Sequence, residues 1–225
     1  VIIVDSGSTD NTLEIAKDYT KNTYHQDWIG FAKQKEYARS LCSNEWVLNL
    51  DADEELTNEL KNEIIKTINE NKIDGLNIKI SSLYLGKFNN EKSKFNRRIR
   101  FFRKNLGYYP EKLVHESIVV DGKIRKAKSF IYDYGTIDLK THLDKINAYS
   151  SLRAEEKFKK NKRNSLLKLL FVFPLSFFKS YIIKRGFLNG TRGFIAAVNN
   201  SFYAFLKEAK LYELWNILMN FTSNG

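Results

Sequence analysis

The chain has 225 residues and a formal net charge of +11, and 43% of its residues are hydrophobic and 14% aromatic. This composition is sufficient for a large hydrophobic core and excludes an intrinsically disordered protein. The single cysteine, Cys42, excludes a disulfide framework within the chain and is typical of a protein from a reducing compartment.

The first half of the chain alternates between strand and helix patterns. The predicted elements are strand 1–4, helix 10–20, strand 23–25, helix 30–41, strand 46–50, helix 58–70 and strand 75–80. This order predicts an α/β sandwich with a largely parallel sheet. Either Ser8 or Thr9 is expected to cap the first helix. The sequence enters its first strand at Val1 without a methionine, so we expect an N-terminal segment to be missing from it.

After residue 83 the pattern predicts short strands at 98–102, 116–120 and 130–134, then a helix at 139–160. The apolar stretch 166–183 approaches the length of a membrane span, but lysines interrupt it and Pro174 divides it. We therefore predict two short helices that lie in the membrane interface, with Lys168 and Lys179 reaching up to the headgroups.

The excess positive charge lies in the C-terminal third. Residues 1–150 hold 24 Lys+Arg and 22 Asp+Glu, whereas residues 151–225 hold 13 and 4. A basic segment of this kind binds either nucleic acid or an anionic membrane surface. Because large apolar side chains surround these lysines, we expect the membrane surface as the partner and no nucleic acid.

Two carboxylates, Asp51 and Asp53, directly follow an apolar strand. Ligands of an open parallel sheet bind beyond the carboxyl ends of its strands, and side chains at i and i+2 of an extended segment point the same way. Such hard oxygen ligands suit Mg²⁺ or Mn²⁺ together with substrate phosphates. The alternative is an acidic cluster, with Glu54 and Glu55, at the start of the next helix.

A second polar turn, Asp5-Ser6-Gly7-Ser8-Thr9-Asp10, also follows a strand and precedes a helix. Its backbone N–H groups favour a polar or anionic ligand, and Asp5 is placed to accept hydrogen bonds from a base or a ribose. The alternative is ordinary turn and capping chemistry. Two such turns at two strand ends predict a ligand site more specifically than either turn alone.

These segments resemble the family-2 glycosyltransferases, and most closely the bacterial lipopolysaccharide-core β-glucosyltransferase branch. The matching segments are 4–12, 30–35, 45–54, Arg97-Arg98-Ile99-Arg100-Phe101-Phe102-Arg103, Val114-His115-Glu116 and Lys184-Arg185-Gly186-Phe187. The resemblance covers nearly the whole chain, but the family's first strand and helix, which precede Asp5, are absent from this sequence.

The resemblance implies a GT-A fold, an inverting mechanism and a nucleotide-diphosphate sugar donor. It assigns Asp5, within the Asp5-Ser6-Gly7 donor turn, to the nucleobase, and Lys35 to the neighbourhood of the nucleotide. It assigns Asp53 to the metal and Asp51 to the ribose or to metal-bound water.

An inverting transfer also needs a base for the acceptor hydroxyl and positive charge for the leaving diphosphate. Glu116 is the candidate base, and His115 is expected to orient it, touch the phosphates or bind the metal; a polar contact at a strand edge is the alternative for this pair. Arg97 and Arg100 are candidates for the diphosphate or the acceptor, with a solvated or membrane-facing charge run as the alternative. The candidates for stacking on a sugar are Trp28, Tyr84, Tyr108 and Tyr109.

The leading hypothesis is an inverting transferase that adds a hexose, with glucose as a candidate, to a membrane-borne glycolipid or glycan such as a lipopolysaccharide core. It would be cytoplasmic and peripheral on the inner face of the cytoplasmic membrane. Residues 1–138 are predicted to form the N-terminally truncated catalytic domain, and residues 139–225 a helical membrane-associating region. The alternatives are transfer to a polyprenyl phosphate or capsule precursor, and a non-catalytic sugar- or lipid-binding relative.

Overall fold

The computed structural model describes residues 1–110, 117–135, 138–163 and 165–223. The fold is mixed α/β, which confirms the predicted class. The chain divides into two compact units, of which the first comprises Val1–Lys79 and Arg97–Ile131 and the second Ile80–Asn96 and Tyr132–Gly225. The division of function at residue 138 stays a prediction.

The described residues form strands and helices close to the predicted ones. The strands are β1 (Ile3–Asp5), β2 (Thr23–His25), β3 (Trp46–Leu48), β4 (Glu54–Leu56), β5 (Gly75–Ser82), β6 (Asn96–Arg103), β7 (Gly107–Tyr108), β8 (Val119–Val120) and β9 (Ile124–Asp133). The α-helices are α1 (Thr12–Tyr19), α2 (Phe31–Leu41), α3 (Asn58–Glu70), α4 (Leu139–Lys159), α5 (Leu166–Phe178) and α6 (Gly190–Ser223).

The sheets are more mixed in direction than the sequence predicts. Strands β1 and β2 form a parallel pair, whereas β3 runs antiparallel to β6 in a five-stranded sheet of order β3-β6-β5-β9-β4. Strands β7 and β8 form a further antiparallel pair. The predicted parallel pairing is therefore present at β1 and β2, which helix α1 connects, whereas β3 and β6 depart from it.

The core of the first unit lies on the five-stranded sheet and against α3. Phe102, Leu60, Leu76 and Ile131 are completely buried there. Helix α3 begins where Thr57 accepts a hydrogen bond from the Leu60 N–H at 3.2 Å. This cap fixes the direction in which the chain leaves β4 and so holds the preceding turn in place.

In the second unit, α4 and α6 pack around Leu211 and Trp215. Glu208 on α6 is also buried there, and it pairs with Lys157 of α4 and, at 3.3 Å, with Lys168 of α5. Lys168 thus pairs with a buried carboxylate although more than half of its side chain is exposed, and its extension toward lipid headgroups stays a prediction.

The prediction that Pro174 divides the apolar stretch into two short helices is wrong. Helix α5 continues through Pro174 to Phe178, and a π-helical turn, Lys179–Ile183, follows it. Proline removes one backbone N–H and its ring crowds the carbonyl four residues earlier, yet α5 continues through it. By length and composition, Leu166–Ile183 is long and apolar enough to cross a membrane, and none of it is buried.

Candidate functional site

The Asp51-Ala52-Asp53-Glu54 segment is a tight turn rather than an extended strand end. The Glu54 N–H donates to the Asp51 carbonyl at 3.0 Å, and the Asp51 N–H donates to the Glu54 carboxylate at 3.0 Å. The expectation that Asp51 and Asp53 point the same way from an extended segment is therefore wrong. Nor is this an acidic helix start, since Glu54 opens β4 and α3 begins only at Asn58.

Two cations hold the Asp51 carboxylate, one on each oxygen. Lys35 Nζ lies 2.7 Å from Oδ1, and Arg100 Nη2 lies 2.5 Å from Oδ2. The same Arg100 nitrogen also pairs with the Glu54 carboxylate. Arg100 and Glu54 have nearly inaccessible side chains, whereas one third of the Asp51 side chain is exposed. Asp51 is therefore the member of this cluster that is most open to solvent.

The protonation of this cluster follows from burial and charge. Burial raises the pKa of Asp51, but attraction to Arg100 and Lys35 outweighs burial, so its pKa lies below the ordinary value. Burial dominates at Glu54 and raises the pKa of that carboxyl above its ordinary value in spite of Arg100. At neutral pH the turn therefore presents an ionised Asp51 that is paired with Arg100 and Lys35.

Asp5 ends β1 and organises the loop after it. Its carboxylate accepts hydrogen bonds from the N–H groups of Gly7 and Ser8, at 2.8 and 2.9 Å, and from the Ser8 hydroxyl. The Ser8 hydroxyl bond, followed by these N–H bonds, lowers the pKa of Asp5. Because its hydroxyl is engaged in this way, Ser8 does not cap α1, whose N-cap is Asn11.

Helix α2 connects the Asp5 loop to the Asp51 turn through two consecutive residues. Gln34 donates from Nε2 to the Ser6 hydroxyl at 2.8 Å, and Lys35 reaches Asp51. The helix begins after Gly30, whose φ of +96° is a conformation that favours glycine. The first two turns of α2 therefore contact both predicted ligand turns, the Asp5 loop through Gln34 and the Asp51 turn through Lys35.

The other predicted site residues, Arg97, His115 and Glu116, are not among the described contacts of the Asp51 cluster. Arg97 donates from Nη1 to the carbonyls of Asn77 and Ala127, both at 2.9 Å, and so ties β6 to β5 and β9. Its assignment to the diphosphate stays a prediction. His115 and Glu116 lie outside the described residues, so their predicted roles are untested by geometry.

The turn offers one exposed carboxylate, that of Asp53, to a divalent cation. No group of three or more His, Cys, Asp or Glu side chains able to hold a metal occurs among the described residues. Both Asp51 oxygens face cations, whereas Asp53 is exposed and makes no hydrogen bond or ion pair within the described chain. Mg²⁺ in proteins is commonly bound by one or two carboxylates completed by substrate phosphates, and Asp53 suits that arrangement.

Sequence reasoning missed Gln34 and Glu54 as parts of this site. Gln34 precedes Lys35 in the motif segment 30–35, so the motif itself was the available signal. Glu54 was assigned only to the dipole of the following helix. Its pairing with Arg100 joins residues 46 positions apart, and nothing in the local pattern reveals such a contact.

Comparisons with known proteins show the family of the chain. Residues 1–121 match the family model described as glycosyl transferase family 2. An uncharacterized glycosyltransferase of Rickettsia typhi is 34% identical over 95% of this chain and 78% of its own length. The lipopolysaccharide core biosynthesis glycosyltransferase LpsC of Rhizobium meliloti is 31% identical over 95% of this chain and 82% of its own length.

Among solved structures, the chain is similar to S. aureus TarS 1–349, with 17% identity and a TM-score of 0.45. That similarity covers 96% of this chain and 81% of the other. The same TarS fragment in complex with UDP-GlcNAc gives a TM-score of 0.46 at 16% identity, over 96% of this chain and 82% of the other.

Proposed function

The chain belongs to glycosyl transferase family 2, whose members are nucleotide-sugar transferases, and on that basis we propose an inverting transfer of a hexose to a membrane-borne glycan. Glucose is the first candidate for the hexose, and a lipopolysaccharide core is the first candidate for the acceptor. The acceptor proposal draws on LpsC, which is named for core biosynthesis and is similar over nearly the whole chain.

The observation that carries the proposal is the ionised, cation-flanked Asp51 beside an exposed Asp53. Asp51 is fixed by Lys35 and Arg100 before any ligand binds, so its exposed edge is oriented to accept hydrogen bonds from the donor ribose. We assign Asp5, at the end of β1, to the nucleobase, and Ser6 and Gly7 to the same donor loop. Arg97 is retained as a candidate contact to the diphosphate.

We propose that Asp53 holds Mg²⁺ or Mn²⁺ together with the donor phosphates. Such an ion, when bound, supplies positive charge to the diphosphate as it leaves. Asp51 is the second predicted ligand, and it would act through metal-bound water because both of its oxygens face cations.

Glu116 is the proposed base, and His115 its proposed orienting partner. The Glu116 carboxylate accepts the proton of the acceptor hydroxyl while the acceptor oxygen forms a bond to the anomeric carbon. The bond from that carbon to the diphosphate breaks at the same time, and its electron pair leaves with the diphosphate. Attack opposite the leaving group inverts the anomeric configuration.

The basic C-terminal region is proposed to hold the enzyme on the inner face of the cytoplasmic membrane. Between residues 166 and 183 the exposed large apolar side chains are Leu166, Leu167, Leu170, Phe171, Leu175, Phe178, Ile182 and Ile183. The net positive charge of residues 151–225 complements anionic lipid headgroups. We favour surface docking over a span, because Lys168 is held by Glu208 and a π-helical turn ends α5.

The test is turnover of nucleotide sugars by the purified chain with a lipopolysaccharide-core acceptor, with and without EDTA. Asp53→Ala should abolish metal-dependent transfer while leaving the circular dichroism spectrum and the unfolding midpoint unchanged. Glu116→Gln should bind the donor and fail to transfer it. Unchanged turnover in Asp53→Ala would refute the metal role, and transfer by Glu116→Gln would refute the assigned base.

Other acceptors separate the remaining hypotheses. Transfer to a polyprenyl phosphate or a capsule precursor, with none to the core, would replace the acceptor proposed here. Donor binding by the wild-type chain without turnover on any acceptor would favour a non-catalytic sugar- or lipid-binding relative.

A further inference from the structure

A cavity of about 290 Å³ lies entirely within the second unit. It is lined by the end of β5, the loop at 83–96, His142 of α4, the turns between Ser180 and Asn189, and the first turns of α6. Small-molecule pockets range from about 300 to 1,000 Å³, so this volume corresponds to a single small ligand unit. We call it the C-terminal cavity.

The charge of the C-terminal cavity is entirely positive. Its lining includes Lys94, Lys184 and Arg192, and no Asp or Glu is present among the described residues that line it. None of these three cations forms an ion pair with a carboxylate in the described part of the chain. Among the described residues, Lys184 Nζ donates a hydrogen bond to the Asn96 amide oxygen alone, at 3.2 Å.

The environment of Lys184 disfavours its charged form. Desolvation, followed by repulsion from Lys179, lowers the pKa of Lys184 below its ordinary value. An anion bound next to Lys184 would offset both the desolvation and the repulsion. It would accept hydrogen bonds from the ammonium group in place of water, and it would supply the opposite charge.

The rest of the lining suits hydroxyl groups. Its uncharged polar side chains are Ser82, Asn89, Ser93, Asn96, Ser180, Asn189 and Asn200. Tyr84 and His142 add an aromatic wall, with ring centroids 5.3 Å apart in an edge-on arrangement. Burial, followed by repulsion from Lys145, lowers the pKa of His142, so this wall is uncharged at neutral pH. Hydroxyl and amide groups beside an aromatic face are the usual lining for a sugar ring.

The cavity is preformed by close backbone packing. A Cβ atom on Gly193 would come within 1.8 Å of the Gly186 carbonyl oxygen, so only glycine permits this approach of α6 to the preceding turn. Arg192 Nη1 donates to the carbonyls of Tyr84 and Lys87, at 3.0 and 2.8 Å, and fixes the loop on the opposite side.

We propose that the C-terminal cavity binds an anionic sugar, that is, a monosaccharide unit carrying a phosphate or a carboxylate. The anion would pair with Lys184 and Lys94, and the ring hydroxyls with the serine and asparagine side chains. The identification of this sugar as part of the acceptor glycan rests on the proposed function, whereas its binding does not.

Binding is measured on the full chain by isothermal titration calorimetry, with glucose 6-phosphate, glucose, inorganic phosphate and dihexanoyl phosphatidylglycerol as probes. Each titration contains a saturating nucleoside diphosphate, so that the donor site is occupied. A separate titration of the nucleoside diphosphate reports on the proposed function independently. The variants are Lys184→Gln and its matched control Lys179→Gln, which removes the same charge from the start of the π-helical turn that Lys184 follows, outside the cavity lining.

We expect glucose 6-phosphate to bind more tightly than the other three probes. The Lys184→Gln substitution should weaken the affinity for glucose 6-phosphate by about tenfold or more. Lys179→Gln should change its affinity by less than about threefold. Equal affinity of glucose would overturn the anionic part of the proposal, and equal affinity of phosphate or of the phospholipid would overturn the sugar part. Equal binding by Lys184→Gln and wild type would overturn the site itself.

Discussion

Arg100 Nη2 lies 2.5 Å from Asp51 Oδ2, in a pair in which the guanidinium is buried and the carboxylate is one-third exposed. A buried guanidinium therefore pairs with a carboxylate that is partly exposed at the surface. Arg100 therefore fixes the charge and orientation of Asp51, and its contact with the diphosphate or the acceptor stays a prediction.

Arg100→Met should destabilise the chain strongly. The substitution leaves Glu54 buried without its cation and Asp51 with only Lys35, and an uncompensated buried charge costs about 3–5 kcal/mol. The free energy of unfolding, measured in urea, is expected to fall by about that amount. The double variant Arg100→Met with Glu54→Gln should recover part of the loss. An unfolding midpoint equal to that of wild type would contradict the buried pairing.

Asp51→Asn should produce a stability loss that depends on pH. The folded-state pKa of Asp51 is lowered from 3.8, so its ionised form contributes stability above the unfolded pKa, and this contribution disappears as pH falls through the lower folded-state pKa. We expect a loss of about 1–2 kcal/mol at pH 7, reduced by partial exposure, that vanishes on acidification below pH 3.8.

The control for this measurement is Asp53→Asn, which removes the same charge two residues away. Asp53 is exposed, so its substitution should change the free energy of unfolding by less than about 0.5 kcal/mol at every pH. A constant difference between wild type and Asp51→Asn from pH 7 to pH 3 would mean that the ion pairs contribute nothing.

Gly193→Ala should disrupt the C-terminal cavity. The added methyl group would overlap the Gly186 carbonyl oxygen, and overpacking against backbone typically costs about 1–3 kcal/mol or more. A lower melting temperature and weaker binding of glucose 6-phosphate are expected together. Thr191→Ala, at an exposed position in the same helix, is the matched control and should be neutral. Normal stability in Gly193→Ala would show that α6 and the turn do not pack this closely.

Elements with their own local signals were predictable from the sequence. Helix α3 was predicted at 58–70 and is observed there, because Thr57 caps it and its apolar residues repeat with the helical period. Strands β4 and β7 were missed, because Glu54-Glu55-Leu56 is mostly charged and Gly107-Tyr108 is too short to show alternation. The extent of α5 was misjudged because proline was treated as a break in a helix that tolerates it.

The candidate site was predictable in its residues but not in its contacts. The motifs predicted Asp5, Asp51 and Asp53 by type and spacing, and the family resemblance predicted Lys35. The sequence did not reveal that Arg100 reaches Asp51 across 49 positions, because that contact depends on β6 lying beside β3 in the folded sheet. The C-terminal cavity depends in the same way on side chains brought together by tertiary packing.

Leu167→Gln combined with Leu170→Gln should weaken membrane docking without unfolding the chain. Both leucines are more than half exposed on α5, so the change removes apolar surface that is available to lipid. Burial of a leucine stabilises by about 1.5–3 kcal/mol, and the double variant should therefore lose at least about tenfold in partitioning to phosphatidylglycerol vesicles in flotation. Ile15→Gln, at a similarly exposed position on α1 of the first unit, is the control and should float like wild type.

High salt should release the wild-type chain, because part of the attraction is between lysines and headgroups. Resistance to both high salt and alkaline carbonate would instead indicate that Leu166–Ile183 spans the bilayer, and equal flotation of all three proteins would contradict docking through α5.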